Sequence, residues 1–548
     1  MMLSNVFGRE RPEYKAAFVA VMALMAVVLL YPLGSVLVRS FFRDGVFTLG
    51  NYEALFSSPS FLKTLGQSFF VSAASAVTAT TLAFFSAYGL HFTRIRPALR
   101  AIIQNVILLP LFLPSITYGF AVMYSFGRQG LVSQIFGPPP FPIYGFAGLF
   151  IAFVVYTLPP AFLILNNAFH YVDKNFVTVS RLMGDSVLRT FFATAVRPVA
   201  GAIAASFILS FFLCFTDFGI PVSIAGQYEV IAVKLYSTMM GAVPDLEGGA
   251  VVAMVMLLPA ALSVWLLRAA DRFNFRYAEI RHAEIARSSV RDAAFLCYYV
   301  VLAALLLSVF AVMFVVPFVK SWPYQIEPTA ETFIRVVSDP AIGRVYLNSI
   351  GVALASAALG TAVTYFAGMI NARSKLSGWC RTAMDSLAMI TNTVPGMVIG
   401  VGFLFAFAGT PLANTFLILV LANLVHFFTT PYLLSQSAFS KMNASWETTG
   451  ALMGDSWLAT MRRVVIPNSM TTIVQMFGYL FINALVTISA VVFLCGAQTM
   501  LLTTKIKELQ YFEKFDEIFV LSLLIFFTNI AVKLILDEIA KRFGTHAS

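Results

Sequence analysis

The chain has 548 residues, of which 59% are hydrophobic and only 11% are charged. A soluble globular domain carries about 25% charged residues, so a soluble enzyme or soluble regulator is excluded. The net charge of +10 would suit nucleic acid or an anionic membrane face, and the position of the cations beside apolar segments decides for membrane lipid and against nucleic acid.

Apolar segments long enough to cross a hydrocarbon core of about 30 Å recur along the whole chain. The first follows Arg9, Arg11 and Lys15 and is too long for the core of a secretory signal, so we expect it to remain as a membrane helix. The predicted spans, numbered 1 to 12 in chain order, lie at 16–38, 64–92, 101–126, 146–168, 199–219, 249–268, 294–318, 345–370, 384–408, 412–434, 470–495 and 517–540.

The spans form two sets of six, and the most charged segment of the chain lies between the sets. This linker contains Arg272, Arg276, Arg281 and Arg287. The predicted fold class is an all-α polytopic membrane protein of about 12 transmembrane helices in two parallel six-helix repeats. The predicted divisions are a first helix with an outer segment (1–60), a first transmembrane half (61–268), the linker (269–293), a seventh helix with an outer loop (294–340), a second half (341–540) and a tail (541–548).

Lys and Arg are more frequent in the loops that would lie on the same side as the N-terminus. Because cytoplasmic loops of membrane proteins carry an excess of these residues, we expect both termini, the linker and the loops after spans 4 and 10 to face the cytoplasm.

Those two loops carry the best-preserved repeat of the chain. Leu182-Met183-Gly184-Asp185-Ser186 in the first loop (175–190) recurs as Leu452-Met453-Gly454-Asp455-Ser456 in the second loop (446–460). In each loop the glycine can end one helix in the left-handed conformation, and the Asp or Ser after it can cap the next helix. The pattern predicts a helix–turn–helix at the membrane surface, and a plain amphipathic connector is the alternative.

The repeat extends into the spans at an offset of 281 residues, where it pairs Ser68 with Ser349, Pro114 with Pro395, and Gly119 with Gly400. The offset falls to 270 after the longer outer loop of the first half. An insertion confined to a loop is what a duplicated structure tolerates, so we predict a duplicated transport pathway.

The two loops resemble the EAA loop of permease subunits of binding-protein-dependent ABC importers, both in their place two spans before the end of each half and in the proline that follows the glycine. Gly454 to Pro467 has the family spacing, whereas Gly184 to Pro198 is one residue longer. The usual Glu-Ala-Ala start is replaced by Glu447-Thr448-Thr449-Gly450 in the second loop and by Val177-Thr178-Val179-Ser180 in the first, which makes coupling through the first loop less secure.

The resemblance implies a type I ABC importer permease in a bacterial inner membrane, with two ABC ATPase subunits docked on the loops and a periplasmic solute-binding protein at the outer mouth. It assigns ATPase coupling to a set of loop residues, namely Gly184, Asp185, Ser186, Pro198, Glu447, Gly454, Asp455, Ser456, Arg462 and Pro467. A single chain with two such halves is similar to the fused permeases of the iron(III), thiamine and 2-aminoethylphosphonate importers. Cys214 to Pro221 and Val486 to Leu494 look most like the phosphonate branch, which favours 2-aminoethylphosphonate or a related phosphorus-containing anion over iron(III) and thiamine.

The sequence contains no Gly-x-x-x-x-Gly-Lys-Ser/Thr phosphate loop. We therefore expect no cofactor on this chain, with ATP and Mg bound by the partner ATPase. The four cysteines lack metal-ligand spacing and no hydrolytic motif is present, so no catalytic or metal-binding residues are predicted and an intramembrane enzyme is disfavoured.

Polar groups and prolines inside the spans are the candidates for the translocation pathway, namely Asp217, Asn392, Pro114, Pro395, His426 and Asn483. An ionisable group at membrane depth normally faces the protein interior or a water-filled cavity. The prolines at matching depth predict bent helices at a gate, with plain kinks as the alternative. Asp217 could instead cap a helix end, and His426 is expected to donate an interhelical hydrogen bond.

Two other classes of protein are compatible with these residues. An ion-gradient-driven 6+6 secondary transporter would couple through charged residues in the spans, and this chain has few of them beyond Asp217, Asp385 and Lys533. A scaffold or receptor without transport is the third, and the matched prolines count against it.

Overall fold

The computed structural model describes residues 12–43, 45–270, 288–443 and 445–544. The four linker arginines at 272, 276, 281 and 287 lie outside the described residues, as do Arg9 and Arg11. The described chain is helical nearly throughout, with short antiparallel hairpins at Phe42–Arg43 with Val46–Phe47 and at Val319–Ser321 with Gln325–Pro328. The predicted all-α membrane fold class is confirmed.

Eight of the predicted spans are long apolar helices. They are spans 1, 2, 4, 5, 6, 7, 8 and 12, at Pro12–Phe41, Pro59–Phe92, Phe146–His170, Val187–Thr216, Leu246–Ala270, Ser289–Phe318, Pro340–Arg373 and Phe515–Gly544. Each contains at least 18 residues of high hydropathy with few charges, which is enough to cross a bilayer.

The other four spans are helix pairs with a sharp bend. Spans 3, 9, 10 and 11 comprise Pro97–Phe112 with Ser115–Phe136 (111°), Gly378–Thr393 with Gly396–Phe407 (107°), Phe416–His426 with Thr429–Lys441 (58°), and Trp457–Asn468 with Met470–Val486 (75°). Counting each pair as one span gives the predicted twelve. The bends of spans 3 and 9 fall at Pro114 and Pro395, the two prolines for which bent helices were predicted.

Short helices connect the spans. They are Gly50–Phe56, Asn175–Leu182, Gly219–Ile224, Ile231–Met240, Glu331–Val337, Ser445–Leu452 and Leu502–Tyr511, with Leu131–Phe136 continuing the second helix of span 3.

The prediction placed the ends of spans 5 and 11 too late. Span 5 ends at Thr216 and not at 219, and span 11 ends at Val486 and not at 495. The residues after Val486 stay apolar and are mostly buried, so hydropathy continues where the helix does not. Their backbone groups form local turns, such as the bond from the Val492 N–H to the Ile488 carbonyl, and this satisfies them inside the bundle.

The two halves exchange their first helices. Span 1 packs on span 6 and also on the second half, where Tyr31 stacks edge-on against Phe407 and the Arg39 guanidinium lies 4.4 Å from the Phe405 ring centre. Span 7 packs on the first half, where the Tyr299 hydroxyl donates to the Ser86 carbonyl at 2.6 Å. The halves are therefore interlocked.

Candidate functional site

The two repeated loops have the same backbone. In the first loop the helix Asn175–Leu182 ends before Gly184, whose φ is +79°, and Ser186 then caps the next helix by accepting the Arg189 N–H. In the second loop Gly454 has φ +82° and Ser456 accepts the Ala459 N–H. A left-handed residue next to a serine cap makes the tight reversal of each loop, and glycine adopts that conformation without strain.

The aspartate of each loop is held inside the loop. Asp185 accepts the Ser180 hydroxyl at 2.7 Å and pairs with Arg189 at 3.0 Å, while Asp455 pairs with Arg463 at 3.4 Å. The Ser180 bond ties the helix before the first turn to Asp185 after it, whereas the Asp455 pair with Arg463 lies within the segment that follows the second turn.

The tip of each loop exposes large apolar side chains. Leu182, Met183 and Val187 are each more than three-quarters exposed, and so are Leu452 and Met453. A Cβ atom added to Gly184 or to Gly454 would meet nothing within 4 Å, so the space over each turn is open. Exposed apolar residues around an open turn are typical of a protein–protein contact.

Each loop continues into the next span through a wider turn. A π-helical turn at Phe192–Val196 precedes Pro198, and another at Met461–Val465 precedes Pro467. Proline lacks an N–H and its ring crowds the preceding turn, and a π turn accommodates that disruption without ending the helix. Pro198 is buried, whereas Pro467 and Arg462 are exposed.

Glu447 does not point out of the second loop. Its carboxylate accepts the Tyr14 hydroxyl of span 1 at 3.0 Å and lies 4.0 Å from the Arg373 side chain at the end of span 8. Arg373 also donates to the Met442 carbonyl at 2.7 Å. The contacts anchor the second loop to the bundle.

Apolar contacts attach the first loop to the membrane bundle. Val177 stands at the position of Glu447, and Phe295 stands at the position of Tyr14. The Tyr88 ring lies 5.5 Å from Phe295 and 5.4 Å from Phe191, which joins span 7 to the helix after the first loop. The first loop therefore lacks both the glutamate and the tyrosine hydroxyl that bonds to it in the second half.

Replacing Glu447 by valine, the residue of the first loop, should lower the free energy of unfolding by about 1–3 kcal/mol, because the Tyr14 hydroxyl loses its acceptor and the Arg373 side chain loses a nearby opposite charge. Thermal unfolding of the purified chain measures this. Glu447→Gln keeps an acceptor for Tyr14 and should lose less. A Glu447→Val chain of unchanged stability that no longer retains a partner ATPase would instead place Glu447 in the docking contact.

The break of span 3 packs against the end of span 5. A Cβ atom on Gly219 would lie 2.3 Å from the Ser115 hydroxyl, so one of the two positions must lack a side chain. In the second half a Cβ on Gly396 would lie 2.3 Å from the Ser489 hydroxyl. Gly396 is the equivalent of Ser115, and Ser489 is the equivalent of Gly219, so each half has one serine and one glycine in reversed order.

Asp217 lies at this contact, two residues before Gly219. It is buried, and its carboxylate accepts the Ile220 N–H at 2.8 Å. That bond caps the short helix Gly219–Ile224, which is the alternative stated for Asp217 from the sequence. The structure therefore brings Asp217 together with the Pro114 break.

The other pathway candidates are less closely grouped. The His426 ring lies beside Gly396, next to Pro395, at 3.1 Å from where a Cβ would stand. Its Nδ1 is buried with no hydrogen-bond partner among the described residues, so the expected interhelical bond is not made by that atom. Asn483 donates to the Tyr479 carbonyl of its own helix, and Asn392 is exposed.

Sequence reasoning missed the contact between the halves. The Tyr236 ring lies 4.8 Å from Phe218 in the first half and 5.8 Å from Phe493 in the second. The Lys507 ammonium lies 5.8 Å from the same ring centre. No motif marks these residues, and Tyr236 and Lys507 are too unlike for the repeat in the sequence to pair them.

Comparison with known proteins agrees with this architecture. The sequence matches the family described as "Binding-protein-dependent transport system inner membrane component" over residues 79–276 and 360–545. The ferric transport system permease protein FbpB of Actinobacillus pleuropneumoniae is 23% identical over 510 residues, which cover 89% of this chain and 73% of that protein.

Two shorter relatives are similar to parts of the chain. The molybdenum transport system permease protein ModB of Azotobacter vinelandii is 32% identical over 174 residues, covering 30% of this chain and 75% of ModB. The thiamine transport system permease protein ThiP of Brucella suis is 26% identical over 146 residues, covering 26% of this chain and 27% of ThiP. All three are named as permeases, which agrees with a transport subunit and not an enzyme.

The two matched segments cover more than half of the chain, and each contains one repeated loop and the span that is bent at Pro114 or Pro395. The chain therefore belongs to the family of binding-protein-dependent transport system inner membrane components, as a multi-pass ABC importer permease in which two copies are fused.

Proposed function

We propose that this chain forms the translocation pathway of an ATP-driven importer that accepts a small solute from a periplasmic binding protein. Two ABC ATPase subunits bind the first and second loops at the cytoplasmic face, and ATP with Mg binds to those subunits. Both termini then lie in the cytoplasm. The observation that carries the proposal is that the two loops have the same backbone. Each exposes apolar side chains around a glycine of left-handed conformation with free space above it.

Six spans separate the two loops, so both lie on the same face of the membrane if each bent pair crosses once. Two ATPase subunits could therefore engage both loops at the same time. This is the geometry that a pair of ATPases closing on ATP needs in order to move both halves together.

The loops have a direct route to the pathway. The first loop continues into Val187–Thr216, whose end packs through Gly219 on the break of span 3. The second loop continues into span 11, and beyond its end Ser489 packs on the break of span 9 at Gly396. A movement of either loop is thus transmitted to a broken helix, and ATP binding shifts the equilibrium only by favouring one of the two arrangements.

Two solutes are proposed. Ferric iron is supported by the named solute of FbpB, a relative that matches along most of the chain. The segment from Cys214 to Pro221 supports 2-aminoethylphosphonate, and thiamine is a weaker third candidate because ThiP matches only 26% of this chain.

The test is purification of the chain from its native membrane with its partners, followed by reconstitution in vesicles. We expect an ATPase to co-purify and labelled 2-aminoethylphosphonate or ferric citrate to enter only with ATP and a binding protein. If no ATPase co-purifies and uptake follows a proton or sodium gradient, the chain is a secondary transporter and the proposal is wrong.

A further inference from the structure

The segments after spans 5 and 11 contain equivalent helices. Ile231–Met240 and Leu502–Tyr511 have ten residues each. The Ile231 N–H donates to the Ser68 hydroxyl at 2.8 Å, and the Leu502 N–H donates to the Ser349 hydroxyl, also at 2.8 Å. Ser68 and Ser349 are themselves equivalent in the repeat. The two helices therefore correspond residue by residue from their first positions.

Tyr236 and Lys507 are the sixth residues of these two helices, so they occupy the same position in the two halves. They also touch, because the Lys507 ammonium lies 5.8 Å from the Tyr236 ring centre. Residues related by a two-fold axis contact one another only where they lie beside that axis. The approximate two-fold axis of the molecule therefore passes between Tyr236 and Lys507.

A pathway formed equally by two halves runs along the axis that relates them. Here the axis is closed by contacts between the halves. Phe218 and Phe493 flank the Tyr236 ring, and Gln510 donates to the Val222 carbonyl at 2.7 Å. Both helices lie beyond the ends of spans 5 and 11 that are remote from the loops, so the closure is on the outer side in the proposed orientation.

One of the three lysines on these helices has no acidic partner in the described part of the chain. On the same helices Lys234 lies 3.8 Å from the Glu229 carboxylate, and Lys505 lies 2.8 Å from Glu508. Lys507 has no carboxylate within 4 Å among the described residues, and its cation faces an aromatic ring. A half-buried ammonium without a counter-ion attracts an anion that comes within reach.

We propose that Tyr236 and Lys507 form the outer gate of the pathway, and that the Lys507 ammonium contacts the solute as the gate opens. The solute then carries net negative charge, as a phosphonate, an oxyanion or an anionic chelate of ferric iron does. This inference rests on the proposed importer function and specifies the chemical class of its solute.

The position of the gate is tested on the full chain in its membrane, with the four native cysteines replaced. A short bifunctional maleimide should link Tyr236→Cys to Lys507→Cys, with the linked peptides identified by mass spectrometry. Ser237→Cys with Glu508→Cys, one residue further along both helices, is the matched control and should link several-fold less. Equal or stronger linking of the control pair would show that the two-fold axis does not pass between Tyr236 and Lys507.

The charge is tested by ATP-dependent uptake in the reconstituted complex, with labelled 2-aminoethylphosphonate, molybdate, ferric citrate and thiamine as probes. Lys507→Gln should lower uptake of an anionic probe about tenfold or more, while Lys507→Arg retains it. Lys505→Gln, which removes a lysine already paired with Glu508, is the control and should change uptake by less than about twofold.

Three outcomes would overturn the assignment of an anionic solute. These are uptake of thiamine alone, an active complex that takes up none of the anionic probes, and a Lys507→Gln complex that equals the wild type. Each leaves the importer function intact, because ATP-driven uptake or a bound ATPase is still present. Failure of the importer function itself shows differently, as absence of the ATPase with the cross-link between the halves unchanged.

Discussion

Replacing Gly454 by arginine should release the ATPase partner from the purified chain while the membrane bundle keeps most of its stability. The backbone at Gly454 is left-handed, which costs a residue with a Cβ roughly 1–2 kcal/mol. The larger effect comes from the side chain, which extends into the open space above the turn where the partner is expected to sit. Co-purification, ATPase activity and thermal unfolding measure the separate parts of this prediction.

Gly409→Arg is the matched control. Gly409 has φ +75° and also has nothing within 4 Å of its Cβ position, so the strain and the free space are alike. It lies in the loop between spans 9 and 10, which is on the opposite face from the second loop if the bent pair of span 10 crosses the membrane once. We expect this variant to retain the ATPase, and loss of the partner in both variants would mean that strain alone is responsible. The same comparison at Gly184→Arg reports whether the first loop couples as strongly as the second.

Replacing Gly219 by serine should destabilise the first half by about 1–3 kcal/mol, because the new Cβ is forced against the Ser115 hydroxyl and the Ile116 backbone. A lower thermal unfolding temperature of the purified chain and weaker ATP-dependent uptake are the expected results. Gly351→Ser in span 8, where a Cβ meets nothing within 4 Å, is the control and should change neither.

The double variant Ser115→Gly with Gly219→Ser should recover the part of the lost stability that comes from the Ser115 hydroxyl, while the contact with the Ile116 backbone remains. It recreates in the first half the order of the second half, where Gly396 faces Ser489. A double variant no more stable than the single one would show that the two contacts are not equivalent, and the transmission route proposed for the first half would lose its support.

The number and place of the spans were predictable because a bilayer requires about 20 apolar residues per helix. The bends at Pro114 and Pro395 were predictable because proline disrupts the helix at a known position. The serine caps after Gly184 and Gly454 fit the same local chemistry.

The features that could not be predicted from the sequence are those that depend on tertiary packing. The end of span 11 at Val486 was missed because a buried non-helical segment is as apolar as a helix. The inward direction of Glu447 depends on Tyr14 and Arg373, which are remote in the chain. The contact of Tyr236 with Lys507 pairs two residues of unlike chemistry, so no self-comparison of the sequence would have matched them.

The exchange of first helices between the halves has a consequence for synthesis. Span 1 leaves the ribosome before the second half, yet Phe405 and Phe407, which it packs against, follow more than 300 residues later. At a translation rate of about 5–20 residues per second, span 1 stays in the bilayer for roughly 15 seconds to a minute before those partners exist. We expect the face of span 1 that later packs on the second half to be covered during that interval by the insertion machinery or by lipid, which makes the newly made first half vulnerable to membrane proteases.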